Sequence, residues 1–76
     1  MTTIALELLK VIKENNRITP GEMGNILTYS PQYIRNTLRI LGELKLVKTP
    51  VRGSYMITNL GEYVMKHQDR FDQLID

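Results

Sequence analysis

Apolar residues recur at helical spacing in several stretches of the chain and give way to β-branched runs in one. Ile4, Ala5, Leu8, Leu9 and Ile12 form a single stripe, which predicts a helix over about 4–15. Thr3 stands where its N-cap belongs, and Asn15-Asn16 ends it. Arg17-Ile18-Thr19 reads as a very short extended segment. Thr19-Pro20-Gly21-Glu22 has the form of a capping box with proline at the first helical position. It opens a short second helix ending near Leu27, with Met23 and Leu27 facing inward. Gly24 leaves room for a neighbouring helix. Ser30-Pro31 repeats the cap-then-proline pattern and starts a third helix that runs to about Leu44. With Ile34 as reference and a step of about 100° per residue, Leu38 and Leu41 fall within about 40° of it and Thr37 within about 60°. Gln32, Arg35, Asn36, Arg39 and Glu43 fall on the far side, so this helix divides cleanly into apolar and polar faces.

Leu46 to Pro50 and Ser54 to Thr58 read as two strands joined by Val51-Arg52-Gly53, with Gly53 available for positive φ. Pro50 fits only an edge strand. Thr58 is placed to cap a last helix over 59–76. There Leu60, Val64, His67, Phe71 and Leu74 follow at heptad-like spacing. The pattern thus predicts an α+β chain, mostly α. A symmetric dimer through Leu60, Val64, His67, Phe71, Leu74 and Ile75 is the expected use of the last helix, because apolar residues on a projecting helix mark an interface. A frayed tail, or a helix folded back on Ile4 and Leu8, are the alternatives.

The chain has 76 residues, which is room for one domain over 1–76. So short a domain buries a small share of its surface, which also favours a partner subunit. There is no Cys, which removes disulfides, thiolate metal sites and a cysteine nucleophile. No apolar run is long enough to span a membrane, and the first residues do not resemble a signal peptide, so a cytoplasmic protein is expected. His67 is the only His, and with mobile Asp69 and Asp72 it makes a poor metal site. Ser30 and Ser54 lack a His–Asp partnership, and there is no Gly-rich phosphate loop. No catalysis, metal or cofactor is expected. The net charge of +2 is unevenly spread. Residues 1–34 balance. Residues 35–52 hold Arg35, Arg39, Lys45, Lys48 and Arg52 against Glu43 alone, a net +4, and residues 53–76 carry a net −2. A basic middle suggests a surface that meets an anion.

Two short helices joined at Thr28-Tyr29, followed by a basic hairpin, make a helix-turn-helix pattern with a wing. The stretch Ser30-Pro-Gln-Tyr-Ile-Arg-Asn-Thr-Leu-Arg-Ile-Leu-Gly-Glu-Leu-Lys-Leu-Val47 resembles the recognition helix of prokaryotic winged-helix regulators of the ArsR and MarR type. Ile57-Thr58-Asn59-Leu60-Gly61 resembles the segment with which their wings lead into the last helix. Small viral and archaeal members have similar lengths. The resemblance implies a winged helix-turn-helix fold with a three-helix core, a two-stranded β-wing and a C-terminal helix. It also implies a sequence-specific double-stranded DNA-binding protein, a transcriptional regulator in a prokaryotic or virus-infected cell. Two positions depart from the pattern. Thr28 stands where the family often has Gly, and Lys45 where it has the helix-ending Gly, so Lys45 must take a left-handed conformation or the helix must end differently.

The residue types suit that role. Arg donates bidentately to guanine, and Asn or Gln pairs with adenine, in a major groove that admits one helix. Gln32, Arg35 and Asn36 are therefore expected to read bases, with Arg39 able to read or to position. Tyr33 stands at the edge of the face for a sugar or a thymine methyl. Ser30 and the helix N-terminus suit a phosphate oxygen. Lys48 on the hairpin is expected to contact the backbone, and the resemblance assigns Arg52 and Gly53 to backbone or minor groove. A protein-interaction module and a nonspecific architectural DNA binder are the competing functions.

Overall fold

The computed structural model describes residues 3–67. Over these it is an α+β structure, mostly helical: α1 (Thr3–Glu14), α2 (Pro20–Ile26), α3 (Pro31–Glu43), β1 (Val47–Lys48), β2 (Met56–Ile57) and α4 (Asn59–Lys66). The expected helix over 68–76 lies outside the described residues. Thr3 belongs to α1 itself and is not its cap.

The capping chemistry decides where α2 and α3 begin. The Thr19 hydroxyl accepts the Glu22 N–H at 3.2 Å, and the Glu22 carboxylate accepts the Thr19 N–H at 3.0 Å. This reciprocal pair satisfies two amides that helix geometry leaves without partners. Ser30 does the same work for α3 by accepting the Tyr33 N–H at 3.2 Å. Between them, Leu27 caps α2 in an extended conformation (φ −108°, ψ 149°). No residue from 27 to 30 has positive φ, so Thr28 serves without the glycine often found in such turns.

The helices close around one core. Leu8, Leu9 and Ile12 of α1, Met23 of α2, and Ile34, Leu38 and Leu41 of α3 are all fully buried. Each such side chain contributes about 1.5–3 kcal/mol by leaving water. Ile18, Leu46, Val47 and Val64 extend the core toward the hairpin and α4. Gly24 faces α3 as expected, but a Cβ there would meet Ile34 Cδ1 at 3.9 Å, an ordinary contact.

The strands are shorter than the sequence suggests. Val47 pairs with Ile57 and Lys48 with Met56, antiparallel. On the same register Thr58 donates its N–H to the Leu46 carbonyl at 3.1 Å. Hydrogen-bonded pairs alternate along such a ladder, so after Leu46 with Thr58 and Lys48 with Met56 the next donor on this side would be Pro50, which has no N–H. Pairing stops there, and the chain turns with the Ser54 N–H on the Val51 carbonyl at 3.0 Å and Gly53 at φ 87°. Tyr55 directs its N–H the other way, to the Ile18 carbonyl at 2.8 Å. The short extended segment around Ile18 is thereby a one-residue third strand.

One corner joins α3, β1 and α4. Lys45 takes the left-handed conformation at φ 64°. Its N–H reaches the Gly42 carbonyl at 3.1 Å, and the Leu46 N–H reaches the Leu41 carbonyl at 2.9 Å. That is the Schellman pattern, usually built with glycine where Lys45 stands. The Thr58 hydroxyl donates to the Lys45 carbonyl at 2.6 Å and accepts the Gly61 N–H at 3.0 Å, so one oxygen ties the end of α3 to the start of α4. Gly61 lets α4 lie directly on this corner. A Cβ there would collide with the Leu46 carbonyl oxygen and stand 2.7 Å from Ile57 Cγ1.

Candidate nucleic-acid interface

The exposed side of α3 is created by burial of the other side. Ile34, Leu38 and Leu41 anchor the helix, and Thr37 is held among them at 8% exposure, its hydroxyl donating to the Tyr33 carbonyl at 2.9 Å. With that row fixed, Gln32, Arg35, Asn36 and Arg39 point outward within an arc of about 100°. All four are exposed. Two of them touch: Gln32 Nε2 donates to Asn36 Oδ1 at 3.0 Å. Arg35 and Arg39 form no ion pair among the described residues, so no carboxylate there occupies their guanidinium donors.

Glu43, one turn beyond Arg39 on the same arc, is also exposed. Its carboxylate limits the cationic part of the face to the first turns of α3. Along one margin lie Tyr33, Ile40 and Leu44, exposed by 48%, 52% and 53%. The sequence reading placed Tyr33 at this edge but passed over Ile40 and Leu44; counting the same helical steps past Arg39 would have found them.

At the start of α3, Pro31 has no N–H and Tyr33 gives its own to Ser30, which leaves the Gln32 N–H and the Ser30 O–H as donors. Tyr33 is held edge-on by Tyr29, with ring centroids 5.6 Å apart and planes at 76°. Tyr29 is in turn tied toward α1. Its phenol is raised above its ordinary pKa, first by the hydrogen bond to Glu7, then by burial and by the Glu7 charge.

The hairpin supplies the remaining candidates. Lys48 is the outward residue of β1, beside the buried Val47, and β1 packs against α3. Arg52 and Gly53 are exposed in the turn, and Lys48 and Arg52, like the two arginines, have no ion pair among the described residues. The fold therefore puts Arg35 and Arg39 on one element and Lys48 and Arg52 on the element packed beside it.

The expected dimer seam divides differently. Leu60 is exposed by 48%, but Val64 is a core residue at 4% and is unavailable to a partner. The cause is Gly61: it draws α4 onto the α3–β1 corner, and the turn that carries Val64 comes with it. His67 caps α4, half-buried, its ring 4.4 Å from that of Tyr63. Tyr63 is 46% exposed and takes the place on this edge that Val64 was expected to hold. Phe71, Leu74 and Ile75 lie outside the described residues.

A groove of about 620 Å³ lies elsewhere, lined by Leu6, Glu7, Lys10, Lys13, Glu14 and Met65. Among the described residues, no cluster of His, Asp or Glu is arranged to hold a metal ion, and no helix is long and apolar enough to cross a membrane. No family model, curated protein or solved structure matches this chain.

Proposed function

We propose that this protein is a winged helix-turn-helix regulator, akin to the ArsR and MarR type, that binds double-stranded DNA sequence-specifically and catalyses no reaction. The observation that carries this reading is the set Arg35, Arg39, Lys48 and Arg52 on α3 and the adjoining hairpin, none of them in an ion pair among the described residues, with two carboxamides on the same helix. Unpaired cations on a protein surface cost nothing to desolvate from a partner charge and are free for phosphate or guanine. In this reading α3 enters the major groove. Arg35 and the hydrogen-bonded carboxamide pair of Gln32 and Asn36 face the base edges, and Arg39 reads or positions. Ser30 and the start of α3 hold a phosphate, and Tyr33 meets a sugar or a thymine methyl. Lys48, Arg52 and Gly53 follow the backbone or the minor groove as a wing.

The same reading has two copies acting together. The described residues of one copy span 31 Å in their longest dimension, whereas successive half-sites of a palindromic operator lie about 34–36 Å apart. Leu60 and Tyr63 on the outer edge of α4, with His67 beside them, offer apolar surface for a homodimer.

Selection from random duplexes, followed by titration of the winning site at two salt concentrations, tests the proposal. Enrichment of a two-fold symmetric sequence is expected. Phosphate contacts by Lys48 and Arg52, with Arg39 as a third where it positions, give a slope of log K against log salt of about −1.8 to −2.7 for each copy bound. Binding without preference among duplexes would leave an architectural DNA binder, and no binding at low salt would leave a protein-interaction module.

A further inference from the structure

We infer that Gln32 and Asn36 do not read two bases: Gln32 is a positioning residue that orients Asn36, and Asn36 alone reads adenine. This rests on the proposed DNA-binding role and assigns the work within it. The observation is the hydrogen bond from Gln32 Nε2 to Asn36 Oδ1, 3.0 Å long, on the exposed side of α3. An exposed side-chain pair four residues apart adds little to helix stability in water, so its consequence lies in what it leaves on offer.

A carboxamide oxygen has two lone pairs, and Gln32 uses one of those on Asn36. The remaining lone pair and both Asn36 Nδ2 hydrogens are the set that adenine requires, an acceptor for its N6–H and a donor for its N7. An unheld carboxamide can turn over and exchange its donor and acceptor edges. The bond from Gln32 fixes which edge faces out before DNA arrives. When the groove excludes water, the bond strengthens with the local dielectric and resists that reversal. Gln32 is not equally placed to read. To donate to Asn36 it turns its amide edge along the helix surface and commits an Nε2 hydrogen, and its longer side chain has more rotamer freedom to lose.

The experiment uses the full chain and the selected duplex, with each base pair of one half-site changed in turn. Affinities are measured by fluorescence anisotropy for the unaltered protein, Gln32→Ala, Asn36→Ala, the double variant and Gln32→Glu. The expected result is that Gln32→Ala and Asn36→Ala each relax discrimination at the same A·T pair, about tenfold. The double variant should lose no more there than Asn36→Ala alone. Gln32→Glu, which cannot donate to Asn36, should match Gln32→Ala in discrimination at that pair, although its charge lowers affinity for every duplex. Relaxation at a different base pair, losses that multiply to about a hundredfold in the double variant, or a loss spread evenly over all positions would each overturn the inference. If the unaltered protein does not discriminate at all, the DNA-reading proposal falls with it; if it discriminates and the pattern is additive, only the assignment of Gln32 falls.

Discussion

The surface of α3 with its hairpin and the surface between α1 and α4 are built to opposite electrostatic designs. Around the α1–α4 groove, Lys10, Lys13 and Lys66 are offset by Glu7, Glu14 and Glu62. On α3 and the hairpin, Arg35, Arg39, Lys48 and Arg52 stand against one exposed carboxylate, Glu43, among the described residues of those elements. A balanced surface holds water and projects little field, whereas an unbalanced one projects a potential that raises the local concentration of anions. The net charge of +2 for the whole chain conceals this difference. What separates the two sides is that helix packing gathers one sign on α3 and interleaves both signs on α1 and α4.

The largest expected effect concerns the corner that holds both surfaces in one rigid body. Gly61→Ala should destabilise the fold by about 3 kcal/mol, because a Cβ cannot share space with the Leu46 carbonyl. Thermal or urea unfolding measures this, and a change under about 1 kcal/mol would mean that α4 does not need to lie on the corner. Next is Arg35→Ala, expected to cost about 2 kcal/mol of binding to the selected duplex, concentrated at one base pair. Lys13→Ala in the groove also removes one positive charge and should change that affinity less than about twofold, by less than 0.5 kcal/mol. Equal losses from the two variants in a duplex titration would erase the contrast between the surfaces.

Lys45→Gly should raise stability by about 1 kcal/mol, since it removes the strain of a left-handed lysine while keeping the Schellman bonds. It should lower DNA affinity only by the share of one distant charge. Smaller than the effect at Lys45 is that of Glu43→Gln, which removes the one carboxylate on the arc of α3. Affinity for all duplexes should rise by a few-fold without a change in preference, as expected when a like charge is taken from the edge of an anion-binding face. A change in which sequence is preferred would mean that Glu43 itself touches a base.

Much of this was legible in the chain because the signals are local. Thr19-Pro20-Gly21-Glu22 and Ser30-Pro31 place helix starts to the residue, since a cap needs only its own three or four neighbours. The polar side of α3 follows from helical periodicity once Ile34, Leu38 and Leu41 are taken as inward. The left-handed turn at Lys45 was one of two alternatives that the sequence left open. The strands and α4 were read less well. Heptad spacing put Leu60 and Val64 on one seam, yet one is exposed and the other buried, because spacing says which residues share a side and not which part of it meets the core.

The sequence by itself determined where α1, α2 and α3 lie, the caps Thr19, Ser30 and Thr58, and a run of positive charge from Arg35 to Arg52, because these depend on neighbours along the chain. Tertiary structure decided three things. Pro50 ends the β-ladder only because the register brings it to a donor position. Gly61 sets α4 on the α3–β1 corner and takes Val64 from the outer seam into the core. The packing of β1 against α3 brings the hairpin that carries Lys48 and Arg52 beside the helix that carries Arg35 and Arg39. Each of these depends on residues far apart in sequence meeting at van der Waals distance, and no local pattern encodes such a meeting.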